Sequence, residues 1–172
     1  MKCVILANGD YGNIDSYKWL LKEADIILCA DGGANYAYKM GITPAYIVGD
    51  MDSIHPPVVD YYKEQGVEFR RYPQRKDFTD TQLILALAEE LNASEIVFLG
   101  SLGKRLDHTL SNLYCGGELA LKGKKVWHYT ANYAAYLVNK GITISGQVGD
   151  IVSVLALTDE AQGVYEEGFE YP

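Results

Sequence analysis

The chain is poor in several features that mark familiar protein classes. It has three cysteines, Cys3, Cys29 and Cys115, which lie far apart and form no CxxC pair. They supply neither a disulfide framework nor a zinc site, and read as small buried hydrophobes in a reducing compartment. The start, "MKCVILANGD", holds only a short apolar run before a polar turn. That is too little for a signal peptide or a membrane span, so the expected location is cytoplasmic. Basic charge is scarce, with 15 Lys and Arg against 23 Asp and Glu and a formal net charge of −8. Such a surface repels a nucleic-acid backbone, though it still admits a single nucleotide if a cation intervenes. Neither GxGxxG nor GxxxxGKS/T occurs, which removes the dinucleotide fingerprint and the P-loop.

What is present is a globular composition. The 172 residues are 48% hydrophobic and 22% charged, enough for one core with a small second unit and too apolar for disorder. Short apolar runs alternate with helical patterns. "CVILA", "DIILCA", "AYIVG", "VEFRRY", "EIVFLG" and "KKVWHY" read as strands. Between them "IDSYKWLLKEA", "ANYAYKMG", "PPVVDYYKEQG", "TDTQLILALAEELNA" and "LDHTLSNLYCGGELALKG" read as helices. Gly41 is placed to end the second, and Gly116-Gly117 are expected to loosen the last. Repeated β-α units with short loops predict an α/β fold, a Rossmann-like and mostly parallel sheet with flanking helices. Trp19 and Trp127 are assigned to the core, and His55 and His128 have no evident partners.

After about residue 130 the helical period stops, and short β-like runs alternate with Gly and Asn turns. The predicted organisation is an α/β catalytic domain over 1–130, followed over 131–172 by the start of a small antiparallel β-sandwich. A lone strand or two leaves an open edge, so the natural protein is expected to continue beyond Tyr171-Pro172.

The polar clusters fall where strands end, the place where open α/β sheets bind ligands. In "PAYIVGDMDSI", residues 44–54, an apolar run ends in Asp50 and Asp52 with Ser53 behind them. Side chains two apart in an extended segment share a side, and two close carboxylates call for a cation. Mg²⁺ suits them, because it takes carboxylate and phosphate oxygens and needs few protein ligands. Asp31, Asp77 and Asp80 lie at neighbouring strand ends. Asp80 and Thr79 stand at a helix start, where capping competes with ligation. Asp31-Gly32-Gly33 brings bare backbone amides to the start of a helix. Lys104, Arg105, Asp107 and His108 share one loop, and Arg70, Arg71, Arg75 and Lys76 form a second basic group. Arg105 has the shape to clamp phosphate oxygens, while His108 fits either acid–base work or a helix-start hydrogen bond. Together these residues predict a Mg²⁺–phosphate binder suited to phosphoryl transfer, which needs positioning and charge neutralisation more than covalent help.

The ordered set "DGGAN" (31–35), "PAYIVGDMDSI" (44–54), "KDFTDTQLIL" (76–85) and "GKRLDHTLSNL" (103–113) resembles the motifs of the thiamine pyrophosphokinase family over residues 1 to about 115. The tail "GVYEEGFEYP" is similar to the start of that family's β domain. The resemblance implies that ATP and thiamine give AMP and thiamine diphosphate, in a homodimer; the charge and the short apolar start already point to no nucleic-acid and no membrane partner. It implies Asp50, Asp52 and Asp80 as the Mg²⁺ and catalytic cluster, with Arg105 beside the phosphates. Asp31, Gly32, Gly33, Ser53, Gln74, Lys76, Asp77, Thr79, Lys104, Asp107 and His108 would line the nucleotide and phosphate side. Asp52 or Asp80 would orient the thiamine hydroxyl. The family often has Gly-Gly-Arg where this chain has Gly103-Lys104-Arg105, and Lys104 either adds a phosphate contact or points away. Two alternatives are a pyrophosphokinase acting on another acceptor, such as a hydroxymethyl-pterin, and a non-catalytic nucleotide-binding module.

Overall fold

The computed structural model describes residues 1–73, 78–103 and 105–170. Gln74, Arg75, Lys76, Asp77, Lys104, Tyr171 and Pro172 lie outside the described residues, and with them four of the expected phosphate-side positions. The chain divides into two units, Met1–Lys140 and Gly141–Pro172.

The first unit is a seven-stranded sheet built from β1 (Lys2–Leu6), β2 (Ile26–Ala30), β3 (Tyr46–Gly49), β4 (Glu68–Arg71), β5 (Glu95–Leu99), β6 (Lys125–Tyr129) and β7 (Ala134–Leu137). Its order is β4-β3-β2-β1-β5-β6-β7. The pairs from β4 to β6 are all parallel, and β7 runs antiparallel to β6. The helices are α1 (Lys18–Lys22), α2 (Gly33–Lys39), α3 (Pro56–Glu64), α4 (Asp80–Glu90) and α5 (Leu106–Leu121). The predicted α/β class therefore holds. The α/β unit runs past the expected boundary at 130, because Trp127 to Tyr129 find partners in Ala134 to Tyr136 and a hairpin extends the sheet. The second unit carries no assigned helix or strand among its described residues. Its local order includes a turn in which the Asp150 side chain accepts from the Gln147 N–H at 2.8 Å.

Strands covered on both faces read as unbroken apolar runs rather than alternating ones. Val4 and Leu6 face one core with Leu20, Ala34, Ala37 and Tyr62. Cys3 and Ile5 face the other, with Ile84, Leu85, Leu119 and Phe98. Cys3 and Cys29 are buried free thiols, and burial pushes the Cys3 thiol up to about 12.

Local chemistry sets the element ends. Gly41 (φ 67°) closes α2 with the Ile42 N–H on the Ala37 carbonyl and the Gly41 N–H on the Tyr38 carbonyl, a Schellman ending that needs a left-handed residue. Pro56 and Pro57 open α3, where a missing N–H costs nothing. Three expectations change. The first helix begins as a 3-10 turn over Ile14–Tyr17, because Asn13 caps it and the Tyr17 hydroxyl donates to the Tyr11 carbonyl at 2.6 Å. Gly116-Gly117 do not loosen α5, which runs unbroken. A side chain at Gly116 would meet Leu137 and Val126, so the missing Cβ lets the helix sit close on β6 and β7. Trp19 is 44% exposed rather than core, lying edge-on to Tyr129 with the Lys2 ammonium over its ring.

Two outcomes test this architecture. A Cβ at Gly33 would overlap the Leu6 carbonyl, so Gly33→Ala should destabilise the fold by about 1–3 kcal/mol in urea denaturation; an unchanged midpoint contradicts the close approach of α2 to β1. Burial holds the His128 imidazole down at about 4, from an ordinary value of 6.5. Between those values the unfolded chain binds a proton that the folded site refuses. Stability from this group is thus complete above pH about 6.5 and falls by roughly 3 kcal/mol as pH drops towards 4. His128→Phe should flatten that part of the pH–stability curve, and a slope equal to the unsubstituted chain's would contradict it.

Candidate active site

The carboxyl ends of β2 and β3 bring the acidic residues together. The Asp31 N–H donates to the Val48 carbonyl at 2.8 Å, which continues the β2–β3 ladder one residue past β2. Asp31 then enters the left-handed region at φ 43° and turns the chain into α2. Gly49 has no Cβ because one would press on the Asp31 Cβ. Asp50 follows β3, and Met51 (φ 70°) turns the chain while its side chain is buried in the core. The Asp52 N–H donates to Asp50 Oδ1 at 3.2 Å across this turn. Asp50 and Asp52 thus converge through a left-handed turn rather than through the same-side geometry of an extended segment.

Carboxylate oxygens of Asp31, Asp50 and Asp52 all lie within 4.8 Å of one another. The Ser53 hydroxyl donates to Asp52 Oδ1 at 2.9 Å and also reaches the Asp31 carboxylate. Asn35, in the first turn of α2, braces the loop from behind. Its amide donates to the Ser53 carbonyl at 2.9 Å, and its Oδ1 accepts from the His55 N–H at 3.0 Å. Asp31 is only 7% exposed, and its Oδ1 is buried without a hydrogen-bond partner among the described residues. Burial raises the Asp31 carboxyl above its ordinary value; Asp50 and Asp80 add to the rise, and bonds from Ser53 and the Gly32 N–H offset part of it. A buried, unsatisfied carboxylate oxygen beside two others is unfavourable alone and fits a hard divalent cation.

Asp80 stands outside this group of three, at the first position of α4, yet its charge is felt at Asp31. Thr79, not Asp80, caps the helix. Its Oγ1 accepts from the Gln82 N–H at 3.2 Å, and the Gln82 side chain accepts from the Thr79 N–H at 2.8 Å, which commits the Thr79 hydroxyl to capping. Gly32 and Gly33 are needed for fit: side chains there would meet Asn8 and the Leu6 carbonyl.

The basic residues are less convergent than their sequence positions imply. Arg105 makes a two-pronged contact with Asp107, at 2.6 and 3.2 Å, and both are largely exposed. That pairing holds Asp107 below the ordinary carboxylate range. His108 is exposed in the first turn of α5. Arg70 does not belong to a basic group at the site. It pairs with Glu90 at 2.9 Å and Glu68 at 3.3 Å and lies over Tyr46, near the end of α4 opposite Asp80.

A buried polar chain beneath this rim escaped the sequence reading. The Thr81 hydroxyl donates to Asn112 Oδ1 at 2.8 Å, and Asn112 Nδ2 donates to the Ser101 carbonyl at 2.6 Å. Ser101 Oγ lies 2.7 Å from His128 Nδ1, and the His128 ring stacks on Phe98. His128 therefore has a partner. One signal was available: Asn112 falls on the buried stripe of α5 with Gly116, Leu119 and Ala120, where an amide needs partners on both ends.

The fold and site define a doubly wound α/β protein with a cation-competent acidic cluster at its strand ends. The chain belongs to the thiamin pyrophosphokinase family, since the family model "Thiamin pyrophosphokinase, catalytic domain" matches residues 17–128. It is 34% identical to Thiamine pyrophosphokinase 1 of Oryza sativa subsp. japonica, over 55% of this chain and 44% of the rice protein. Against Thiamine pyrophosphokinase 1 of Arabidopsis thaliana the identity is 32%, over 55% of this chain and 43% of that protein. Among solved structures, thiamin pyrophosphokinase from Candida albicans superposes with a TM-score of 0.63 at 27% identity, covering 75% of this chain and 58% of that one. Thiamine pyrophosphokinase from Bacillus subtilis, at 24% identity, shares the fold with a TM-score of 0.66 over 75% of this chain and 60% of its own. The chain spans less than half the length of these two plant relatives.

The strain stored at Asp31 is testable. Asparagine tolerates the left-handed backbone and keeps an acceptor for Ser53 and Gly32 while removing the buried charge. Asp31→Asn should therefore raise metal-free stability by about 1 kcal/mol, a few degrees in melting temperature. A lower melting temperature in chelator contradicts the electrostatic account.

Proposed function

We propose that this chain carries the catalytic α/β part of a thiamine pyrophosphokinase, in which the β- and γ-phosphoryl groups of ATP pass to the hydroxyl of thiamine. One observation carries the reading: three carboxylates meet within 4.8 Å at the ends of β2 and β3, one of them with a buried oxygen lacking a partner among the described residues, in a chain that belongs to this family.

In the reaction a bond forms between the thiamine oxygen and the β-phosphorus, and the bond from the α,β-bridging oxygen to that phosphorus breaks. AMP leaves with that oxygen, thiamine diphosphate is the product, and the hydroxyl proton passes to solvent. Asp50 and Asp52, with Asp31 behind them and Asp80 facing, would hold Mg²⁺. When bound there, the cation supplies charge neutralisation for the polyphosphate. Asp52 or Asp80 orients the attacking hydroxyl. A strong base is not required if the transition state is loose. Arg105 reaches phosphate oxygens by exchanging its Asp107 partner, which leaves Asp107 as the group that holds it ready. Ser53 keeps Asp52 and Asp31 in place, and Gly32 and Gly33 admit α2 close to the strand ends. His108 and Thr79 border the same rim, and by resemblance Gln74, Lys76, Asp77 and Lys104 belong to the phosphate side. By resemblance, residues 131–172 belong to a thiamine-binding β domain. A cytoplasmic homodimer completes the proposal.

Phosphorus NMR of the protein with ATP, Mg²⁺ and thiamine tests it. AMP and thiamine diphosphate should appear together, and ADP would overturn the assignment. Asp52→Asn should lower turnover at least about 100-fold with folding intact; normal turnover in that variant removes the carboxylate cluster from the chemistry.

A further inference from the structure

The cap at Thr79 fixes the first turn of α4 from within, but a capped helix can still shift as a body. One tie from that turn to the rest of the unit is the side-chain chain running from Thr81 to His128. Its links join residues 31, 11 and 27 positions apart, and so fasten α4 to α5, α5 to the loop after β5, and that loop to β6. Asn112 is 8% exposed and uses both ends of its amide, as a buried amide must.

The far end of the chain is defined by its surroundings. His128 is fully buried, and its Nε2 has no partner among the described residues. An unpaired buried N–H is rarer than an unpaired acceptor, which assigns the proton to Nδ1, donating to Ser101 Oγ. Stacking on Phe98 at 4.8 Å and 10° fixes the ring plane. The chain therefore ends on a rigid, apolar wall.

Its near end lies one residue from Asp80. We infer that Thr81 and Asn112, anchored by Ser101 and His128, are positioning residues that hold the first turn of α4 so that the Asp80 carboxylate faces the Asp31, Asp50 and Asp52 cluster. This rests on the proposed role of Asp80 at the cation and phosphate site. A shift of about 1 Å in a group that positions reactants can cost on the order of 100-fold in rate.

The test is a double-mutant cycle read by two measurements, Mn²⁺ affinity with ATP present and pyrophosphoryl-transfer rate. Thr81→Val keeps the shape and removes the donor; Thr81→Ser keeps the donor. Thr81→Val should weaken Mn²⁺ binding and lower the rate by about tenfold or more, and Thr81→Ser should restore most of both. In an Asp80→Asn background, Thr81→Val should add little, because the group it positions is gone. A full, additive effect in that background overturns the proposal, since Thr81 would then act through general stability. Asp80→Asn impaired with Thr81→Val normal overturns the positioning role alone. Asp80→Asn normal in both measurements overturns the reading of Asp80, and the proposal with it.

Discussion

Three carboxyl groups held within 4.8 Å of one another, with one of them buried, set the terms for the carboxyl ends of the strands. Like charges that close oppose both folding and ionisation, and the Asp31 carboxyl is raised chiefly by its burial, with Asp50 and Asp80 adding to the rise. The surrounding structure is arranged so that the chain can hold the cluster nonetheless. Left-handed backbone at Asp31 and Met51 turns the two strand ends towards each other. The bare Cα of Gly49 makes room for Asp31. Asn35 ties the second loop to α2 through two bonds to backbone groups. On the proposed reading, a bound cation and polyphosphate turn this standing repulsion into affinity. Stability is given up where the function needs charge, a common trade at active sites.

Rigidity below the cluster matters as much as charge within it. The central parallel strands are buried on both faces, so their carboxyl ends form a firm platform. Asp80 opens α4, and on the positioning role inferred for Thr81 and Asn112 its placement depends on a contact between α4 and α5 as well as on the sheet. The Arg105–Asp107 pair is the more adaptable part of the rim, being exposed and held by charge and geometry. Exposed pairs of this kind contribute little to stability, so exchanging Asp107 for a phosphate oxygen costs the fold little.

Much of the architecture could be read from the residues. Continuous apolar runs marked the parallel strands, Gly41 and the paired prolines marked helix ends, and the polar clusters marked the strand ends. The convergence of Asp50 and Asp52 was legible, but its cause was not. Nothing local announces that Met51 adopts a left-handed turn, and a β-like alternation gave the same conclusion for a different reason. Arg70 looked like part of a basic patch because its neighbours in sequence are basic; the fold turns it towards Glu90 on a helix twenty residues away. The link from His128 to Ser101 was out of reach for a similar reason, since it depends on the register of β5 against β6. The Thr79 cap was one of two open readings, and the Gln82 side chain decides it.

The account stands on Asp31, Asp50 and Asp52 being a cation site, and crystals grown with Mn²⁺ and a non-reacting ATP analogue test that most directly. The account predicts an anomalous-scattering peak at about 2.0–2.3 Å from oxygens of Asp50 and Asp52, shared with the analogue's phosphates. An analogue bound with its metal away from these carboxylates would contradict it.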